Sequence, residues 1–456
     1  MKLGFVSLPL SGHLNPMTAL ARKVQSRGHE VLFIGVPDVE PVVRAANLNF
    51  EPYCEREYPA GSIPELYAPI AKLHGLNVLR YQTREITPGF LKVALEHLEE
   101  KLVETSVEAL VLDATHVFLQ LTPMSLGVPF VQIWNTLHLD SSGATPASFF
   151  SWPHELTPEA LARNIEGLKK LAGFFAPVVA VAKSYAEEKG LQIDWSDPHA
   201  TTSKLAVITQ TPKQFDFPGA PWPAHFHYAG PLHDDDGREQ IAFPWKKLTG
   251  EPVVYASLGS LVNGRPHIYR TILGAVERLP GFQVVLSVGK NTNRNDLGPI
   301  PPNTIVVDNA PQIELLACAA LCITHAGLNT SLEALAQGVP MVAIPIGYDQ
   351  PGVAARIAYH GVGEFTELNH LTVEGLAQLI QVVTKDSRYT DQARYFQRVI
   401  TETRGLDVAA DVIERAFRLP VYPGPLPSNA GKFAIGTRMN HTRQPSPTAT
   451  KGVNYG

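Results

Sequence analysis

Long uncharged apolar runs are missing from this chain of 456 residues. No such run reaches the roughly 18 residues that a membrane-spanning helix needs, so an integral membrane segment is not expected. Cysteine is scarce: Cys54, Cys318 and Cys322 complete the set. An odd, small number cannot build a disulfide framework and suits a reducing cytoplasm, the expected location. Cys318 and Cys322 stand close together in LLACAALCITH, but His325 alone does not complete a metal-ligand set, so both read as small buried hydrophobes. Basic charge is not in excess either. Lys and Arg number 38 against 43 Asp and Glu, a net charge of -5, which argues against nucleic acid as a partner and implies little beyond solubility. The opening MKLGFVSLPLSGHLNP lacks the long apolar core and small-residue cleavage site of a secretion signal, and reads as a buried strand.

What is present is a globular composition, 45% apolar and 18% charged, on a chain long enough for two or three domains. Short apolar strands alternate with helical spacing through the first half. KLGFVSLPL, HEVLFIGV, ALVLD (109–113) and PFVQIW (129–134) read as strands; NPMTALARKVQSRG, 84–104 and 116–126 read as helices. This pattern predicts a parallel sheet covered on both faces. Residues 138–200 break the rhythm with two helical stretches, 157–172 and 176–189, among SFFSWP and GFFAP. They read equally well as the lining of an apolar pocket or as a helical pair packed on the sheet. LAVIT (205–209) and HYAGPL (227–232) close the domain.

The polar stretch around HDDDGREQIAFPWKKLTGEP marks a boundary, and the alternation then restarts from VVYASL to a last helix at 407–418. The predicted division is an N-terminal domain over 1–235, a linker over 236–252, a C-terminal domain over 253–405, a helix over 406–419 and a flexible tail over 420–456. The tail is rich in Pro, Gly, Ser, Thr and Asn and has little to bury.

Ligands of open parallel sheets bind where strands end and helices begin. LCIT ends at His325, Ala326 and Gly327 make a tight turn, and Asn329, Thr330 and Ser331 start a helix. Free N–H groups at such a start favour a phosphate. YASLGS offers a second small turn at Gly259 and Ser260, so one domain presents two cradles and a diphosphate fits them. Taken alone, Asn329, Thr330 and Ser331 are ordinary caps, and Glu333 an ordinary first-turn carboxylate. The spacing decides, through Asp349 and Gln350 after the next strand.

NAPQIELLACAALCITHAGLNTSLEALAQGVPMVAIPIGYDQ resembles the donor-binding signature of the family 1 glycosyltransferases, the UDP-glycosyltransferase superfamily, and SGHLNP and the two-domain plan resemble it too. The resemblance implies an α/β GT-B fold, two tandem Rossmann-like doubly wound domains facing across a cleft that closes on the donor. Position by position, it implies that Gln312 and the backbone at Ala310 touch base and ribose. His325, Gly327, Asn329, Thr330 and Ser260 would hold the diphosphate, Glu333 the ribose hydroxyls, and Asp349 and Gln350 the sugar. Asn309 stands where plant members stack a Trp on uracil, the stretch before His325 is shorter than theirs, and Leu328 and Thr330 replace their Trp and Ser. The sequence therefore resembles bacterial members; UDP-glucose is the expected donor, with a thymidine donor left open.

In the first half SGHLNP places His13 in the loop after the first strand. A lone loop His is ordinarily a packing or capping residue. An imidazole titrating near pH 6.5 also suits a general base, and Asp113, ending ALVLD at the same sheet edge, would orient it. The resemblance implies this dyad, a direct inverting displacement and no metal or other cofactor. Asp234-x-Asp236 imitates a metal-binding pattern but falls in the linker. The implied acceptor is a small lipophilic hydroxyl compound: a phenolic, terpenoid, carotenoid or macrolide. O-, C- and N-glycosylation stay open, and a monomer is assumed. The rivals are a sugar-nucleotide epimerase on the same plan, which needs no acceptor pocket, and a non-catalytic nucleotide-sugar binder.

Overall fold

A computed structural model describes residues 1–234 and 241–419. The expected tail over 420–456 and linker positions 236–240 lie outside the described residues. The first half forms a seven-stranded parallel sheet from β1 (Lys2–Val6), β2 (Glu30–Gly35), β3 (Asn49–Pro52), β4 (Ala109–Asp113), β5 (Phe130–Trp134), β6 (Val207–Thr209) and β7 (Phe226–Tyr228), in the order 3-2-1-4-5-6-7. Its main helices are α1 (Ser11–Ser26), α2 (Thr87–Thr105) and α3 (Pro158–Glu188). The second half repeats the plan with six parallel strands, β8 (Val253–Ser257), β9 (Gln283–Ser287), β10 (Thr304–Val307), β11 (Ala319–Thr324), β12 (Met341–Ala343) and β13 (Gly363–Phe365), ordered 10-9-8-11-12-13. Around them lie α4 (Pro266–Glu277), α5 (Gln312–Cys318), α6 (Leu328–Ala336), α7 (Gln350–Tyr359), α8 (Val373–Lys385), α9 (Ser387–Thr403) and α10 (Gly405–Ala416).

Every residue of β4, β8 and β9 is buried, because helices cover both faces of a parallel sheet; this is why these strands are apolar except at their ends. Packing at the sheet centre is close: a Cβ on Gly4 would stand 2.6 Å from the Leu110 side chain. In both sheets the strand order reverses beside the first strand, between β1 and β4 and between β8 and β11. A crevice opens at the carboxyl ends of such a switch point. The crevices hold His13 and Asp113 in one half, and Gly259, Ser260 and His325 in the other.

Several sequence readings need correction. The helices read at 157–172 and 176–189 are one, α3, running through Pro177. Proline removes the bond to the carbonyl four residues back, but that residue is Gly173, which is exposed, so water can replace the bond. The helix read at 116–126 is confined to Leu121–Leu126. The short edge strands β3 (NFEP) and β13 (GEF) carried no readable pattern. α1 starts at Ser11, so His13 lies in the first helical turn rather than in a preceding loop.

The last helix, α10, packs on the first half. Arg27 of α1 reaches Asp411 at 2.6 Å, Glu414 at 3.0 Å and Asp407 at 3.0 Å, and His29 reaches Glu414 at 3.1 Å. Among the described residues no helix is long and apolar enough to cross a membrane.

Candidate active site

At the first switch point His13 Nδ1 lies 2.8 Å from Asp113 Oδ2, with the imidazole 12% exposed and the carboxylate fully buried. Register explains the meeting: Val6 pairs with Leu112, so the chain leaving β1 passes directly beside Asp113. Oδ2 also accepts from Ser7 Oγ (3.2 Å) and the Leu8 N–H (3.3 Å). Oδ1 accepts from the Thr115 N–H (3.0 Å) and Oγ1 (2.6 Å). Burial alone would raise the carboxyl's pKa, but the charge and hydrogen bond of His13, with the Thr115 bonds, outweigh it and hold Asp113 well below the carboxylate range. For His13 burial favours the neutral ring, yet Asp113, helped by the charge of Asp349, prevails and raises its pKa above 6.5. With Nδ1–H committed to Asp113, Nε2 is the basic nitrogen. Ser7 and Thr115 were not anticipated; the Asp-x-Thr spacing, which favours a local side chain-to-backbone bond, was the available signal for Thr115.

The second switch point is shaped by absent side chains. A Cβ on Gly259 (φ +72°) or on Gly327 would lie 2.5 Å from His325 Nε2. The imidazole therefore occupies a slot that exists only because both turns are glycine. Burial lowers the His325 pKa to about 4 against a smaller upward pull from the Ser257 backbone, so the ring is neutral at pH 7. Ala326 and Tyr348, at the two corners of this segment, hold left-handed φ of 63° and 54°. Such strain in non-glycine residues gathers at functional turns. Deeper in, Gln312 Nε2 donates to Glu333 Oε2 (2.5 Å) and Thr330 Oγ1 (3.3 Å), while its Oε1 accepts from Tyr255 OH (3.0 Å). Gln350 Oε1 accepts the N–H groups of Ile346 (2.8 Å) and Gly347 (2.9 Å), so its amide nitrogen is the end left for a ligand.

Other site residues bridge the halves. Ser11 and Ser260 hydroxyls meet at 2.9 Å, and Asp349 Oδ2 accepts the Leu137 N–H at 2.8 Å. Asn329 Nδ2 donates to the Gly12 carbonyl at 2.6 Å, while its Oδ1 accepts from Gln210 Nε2 at 2.7 Å. The Gly12 carbonyl is free for this because its intrahelical partner would be the N–H of residue 16, which is proline. The side chain of Asn329 is thus occupied by a cross-cleft contact, a role the sequence did not suggest.

Asp113 sits behind His13, and Ala326 and Ser331 are fully buried away from it; His13, Ser260, Ala310, Gln312, His325, Gly327, Asn329, Thr330, Glu333, Asp349 and Gln350 all line one cavity of about 2500 Å³ between the halves. That is more than twice the upper end of the usual ligand site, roughly 1000 Å³, so two ligands fit. Its second-half wall includes Ala310, Gln312 and His325. Its first-half wall includes Phe118, Trp195 and one face of α3, with Ile165, Leu168, Ala172, Phe175 and Val179 at helical spacing.

The family model described as UDP-glucoronosyl and UDP-glucosyl transferase matches residues 179–415, more than half of the chain. The chain belongs to this family. A zeaxanthin glucosyltransferase of Pantoea ananas is 26% identical over 422 residues, covering 90% of this chain and 94% of its own. A demethyllactenocin mycarosyltransferase of Streptomyces fradiae is 28% identical, covering 90% and 86%. Among solved structures the glycotransferase of kitacinnamycin superposes with a TM-score of 0.70 at 24% identity, over 91% of this chain and 98% of that one, a likeness of fold. This family 1 UDP-glycosyltransferase has the GT-B architecture and moves a sugar from a nucleotide sugar to a small-molecule acceptor.

Proposed function

We propose that this glycosyltransferase is an inverting enzyme that moves a hexose, glucose first among the candidates, from a nucleotide-diphosphate sugar to a hydroxyl of a lipophilic acceptor. The observation that carries the proposal is the His13–Asp113 pair, at 2.8 Å, with His13 on the wall of the same cavity as the donor signature. His13 Nε2 takes the acceptor proton as the acceptor oxygen bonds to the anomeric carbon. The bond from that carbon to the diphosphate oxygen breaks on the opposite face, and Asp113 stabilises the imidazolium. The start of α6 and His325 meet the charge on the departing diphosphate, the role a divalent ion would otherwise fill.

The apolar first-half wall supports a lipophilic acceptor and disfavours an epimerase, which would need no acceptor pocket. Three free cysteines fit a cytoplasmic location. The test is mass-spectrometric screening of pooled phenols, terpenoid alcohols, hydroxycarotenoids and macrolides with UDP-glucose and a thymidine-diphosphate sugar, with and without EDTA. An acceptor-dependent β-glycoside, unchanged by EDTA and abolished in His13→Ala, is expected. An α-linked product, or near-normal turnover in His13→Ala, refutes the mechanism. An epimerised donor formed without acceptor refutes the reaction.

A further inference from the structure

Helix α3 carries two parallel rows of side chains. The first, Asn164, Gly167, Leu171, Val178, Ala182 and Tyr185, is buried against protein, and Tyr185 reaches Glu99 of α2 at 3.1 Å. The second is the first displaced by one residue: Ile165, Leu168, Ala172, Phe175 and Val179. Steps of three and four residues keep a row straight along a helix, and an apolar row of this kind ordinarily marks the seam with a second helix. This one has no such cover among the described residues. None of its five side chains is buried, Ile165 is 46% exposed, and all five line the cavity that holds His13.

The row is bounded on every side that could widen it. The next residues round the helix, Glu166 and Lys169, form an exposed ion pair. At one end Gly143 lies so close that a Cβ there would stand 2.8 Å from the Ile165 side chain, and the adjoining Ser141 and Ser142 line the cavity with their hydroxyls. At the other end Lys183, one turn past Val179, lies over Trp195, which packs on Phe118. From Ile165 to Val179 the helical rise makes the row about 21 Å long. The uncovered surface is therefore long, straight, apolar and one side chain wide. A compact acceptor would cover only part of it, whereas an extended chain covers all five residues. We infer that the acceptor is elongated: a hydroxyl compound whose extended apolar chain lies along α3 in the place of a second helix, with its hydroxyl end at His13.

The inference rests on the lipophilic-acceptor reading, and a graded series of acceptors tests it. With UDP-glucose or a thymidine-diphosphate sugar as donor, kcat/KM should climb from para-methylphenol to para-dodecylphenol. The expected gain is about twofold per methylene, against about fourfold for a methylene buried on all sides. Estradiol, a compact phenol with as many carbons as para-dodecylphenol, should be the poorer acceptor. Ala172→Trp and Ala172→Asp interrupt the row at its exposed middle. Both should lower kcat/KM for para-dodecylphenol by about tenfold relative to para-methylphenol, the worth of a few methylenes. A flat response to chain length, estradiol outranking para-dodecylphenol, or equal losses for the two phenols in the variants would overturn the inference while leaving the lipophilic-acceptor reading intact. So would a dimer in sedimentation that Ala172→Asp splits, since a second copy would then cover the row. Failure to glycosylate any of these phenols with either donor would sink the lipophilic-acceptor reading itself, and the inference with it.

Discussion

A base that must take a proton works only while neutral, and His13, the base of the proposed mechanism, is held by a carboxylate that favours its charged form. Because burial loses to Asp113 in setting the His13 pKa, kcat/KM should fall on the acid side with a midpoint above 6.5. Asp113→Asn removes the raising influence and leaves burial, which lowers the pKa. The acid limb should then move to lower pH while the plateau rate drops by about 100-fold or more, the usual worth of general base catalysis. A pH–rate profile of both proteins decides it; an unmoved limb would assign that limb to another group. Glycine placement is tested at the same scale. Gly327→Ala puts a methyl 2.5 Å from His325 Nε2, so the ring must leave its slot and UDP affinity should fall by about tenfold or more. Adding His325→Ala removes the clash. The double variant should therefore be more stable than Gly327→Ala alone, a non-additivity that thermal melting can read.

The helix α1 carries a proline where a helix least wants one, and the cleft gains a contact from it. Pro16→Ala would supply an N–H to the Gly12 carbonyl and so compete with Asn329 Nδ2. Melting temperature should rise, since interior proline costs a helix about 3 kcal/mol, while kcat falls severalfold with UDP affinity nearly unchanged. A rise in kcat would show that the cross-cleft bond does not help. Proline is also where sequence reading failed at this scale. The helix read from Asn15 begins at Ser11, and the pair read on either side of GFFAP is one helix; in both cases the carbonyl that proline leaves without its helical partner can be satisfied otherwise, by Asn329 or by solvent. Central strands were legible because burial on both faces makes them apolar throughout, and β3 and β13 were not because edge strands may be polar and short. Chemistry at strand ends was legible because its residues are adjacent in sequence. Thr115 was within reach as a local motif, but the Gln210–Asn329 and Leu137–Asp349 bonds join distant segments that no spacing encodes.

Around the large cavity the two halves are joined at its margins, by apolar packing such as Phe215 against Phe396 and by buried charge. Asp216, after β6, accepts from His138 Nε2 (2.8 Å) and Tyr228 OH (2.6 Å) in its own half, and from Arg356 Nη2 (2.7 Å) and Nε (3.1 Å) of α7 in the other. Both charged partners are almost fully buried, and α7 begins at Gln350, so this knot fixes the Asp349–Gln350 corner to the first half. Buried pairs add little net stability, but breaking one leaves an uncompensated charge. Asp216→Asn should therefore cost about 3–5 kcal/mol, and Asp216→Asn with Arg356→Met should recover at least half of it, measured by denaturant unfolding. The acid limb offers a second check. Burial would raise the Asp216 pKa, but His138 and Arg356 depress it well below the carboxylate range. A depressed pKa gives stability that is complete above the unfolded value of about 4 and lost as pH falls below it. The stability of Asp216→Asn should accordingly depend less on pH below about 4 than that of wild type. If it does not, Asp216 is not what ties the Asp349–Gln350 corner to the first half, and the cleft is held instead by hydrogen-bond bridges such as those at Gly12, Ser11 and Leu137.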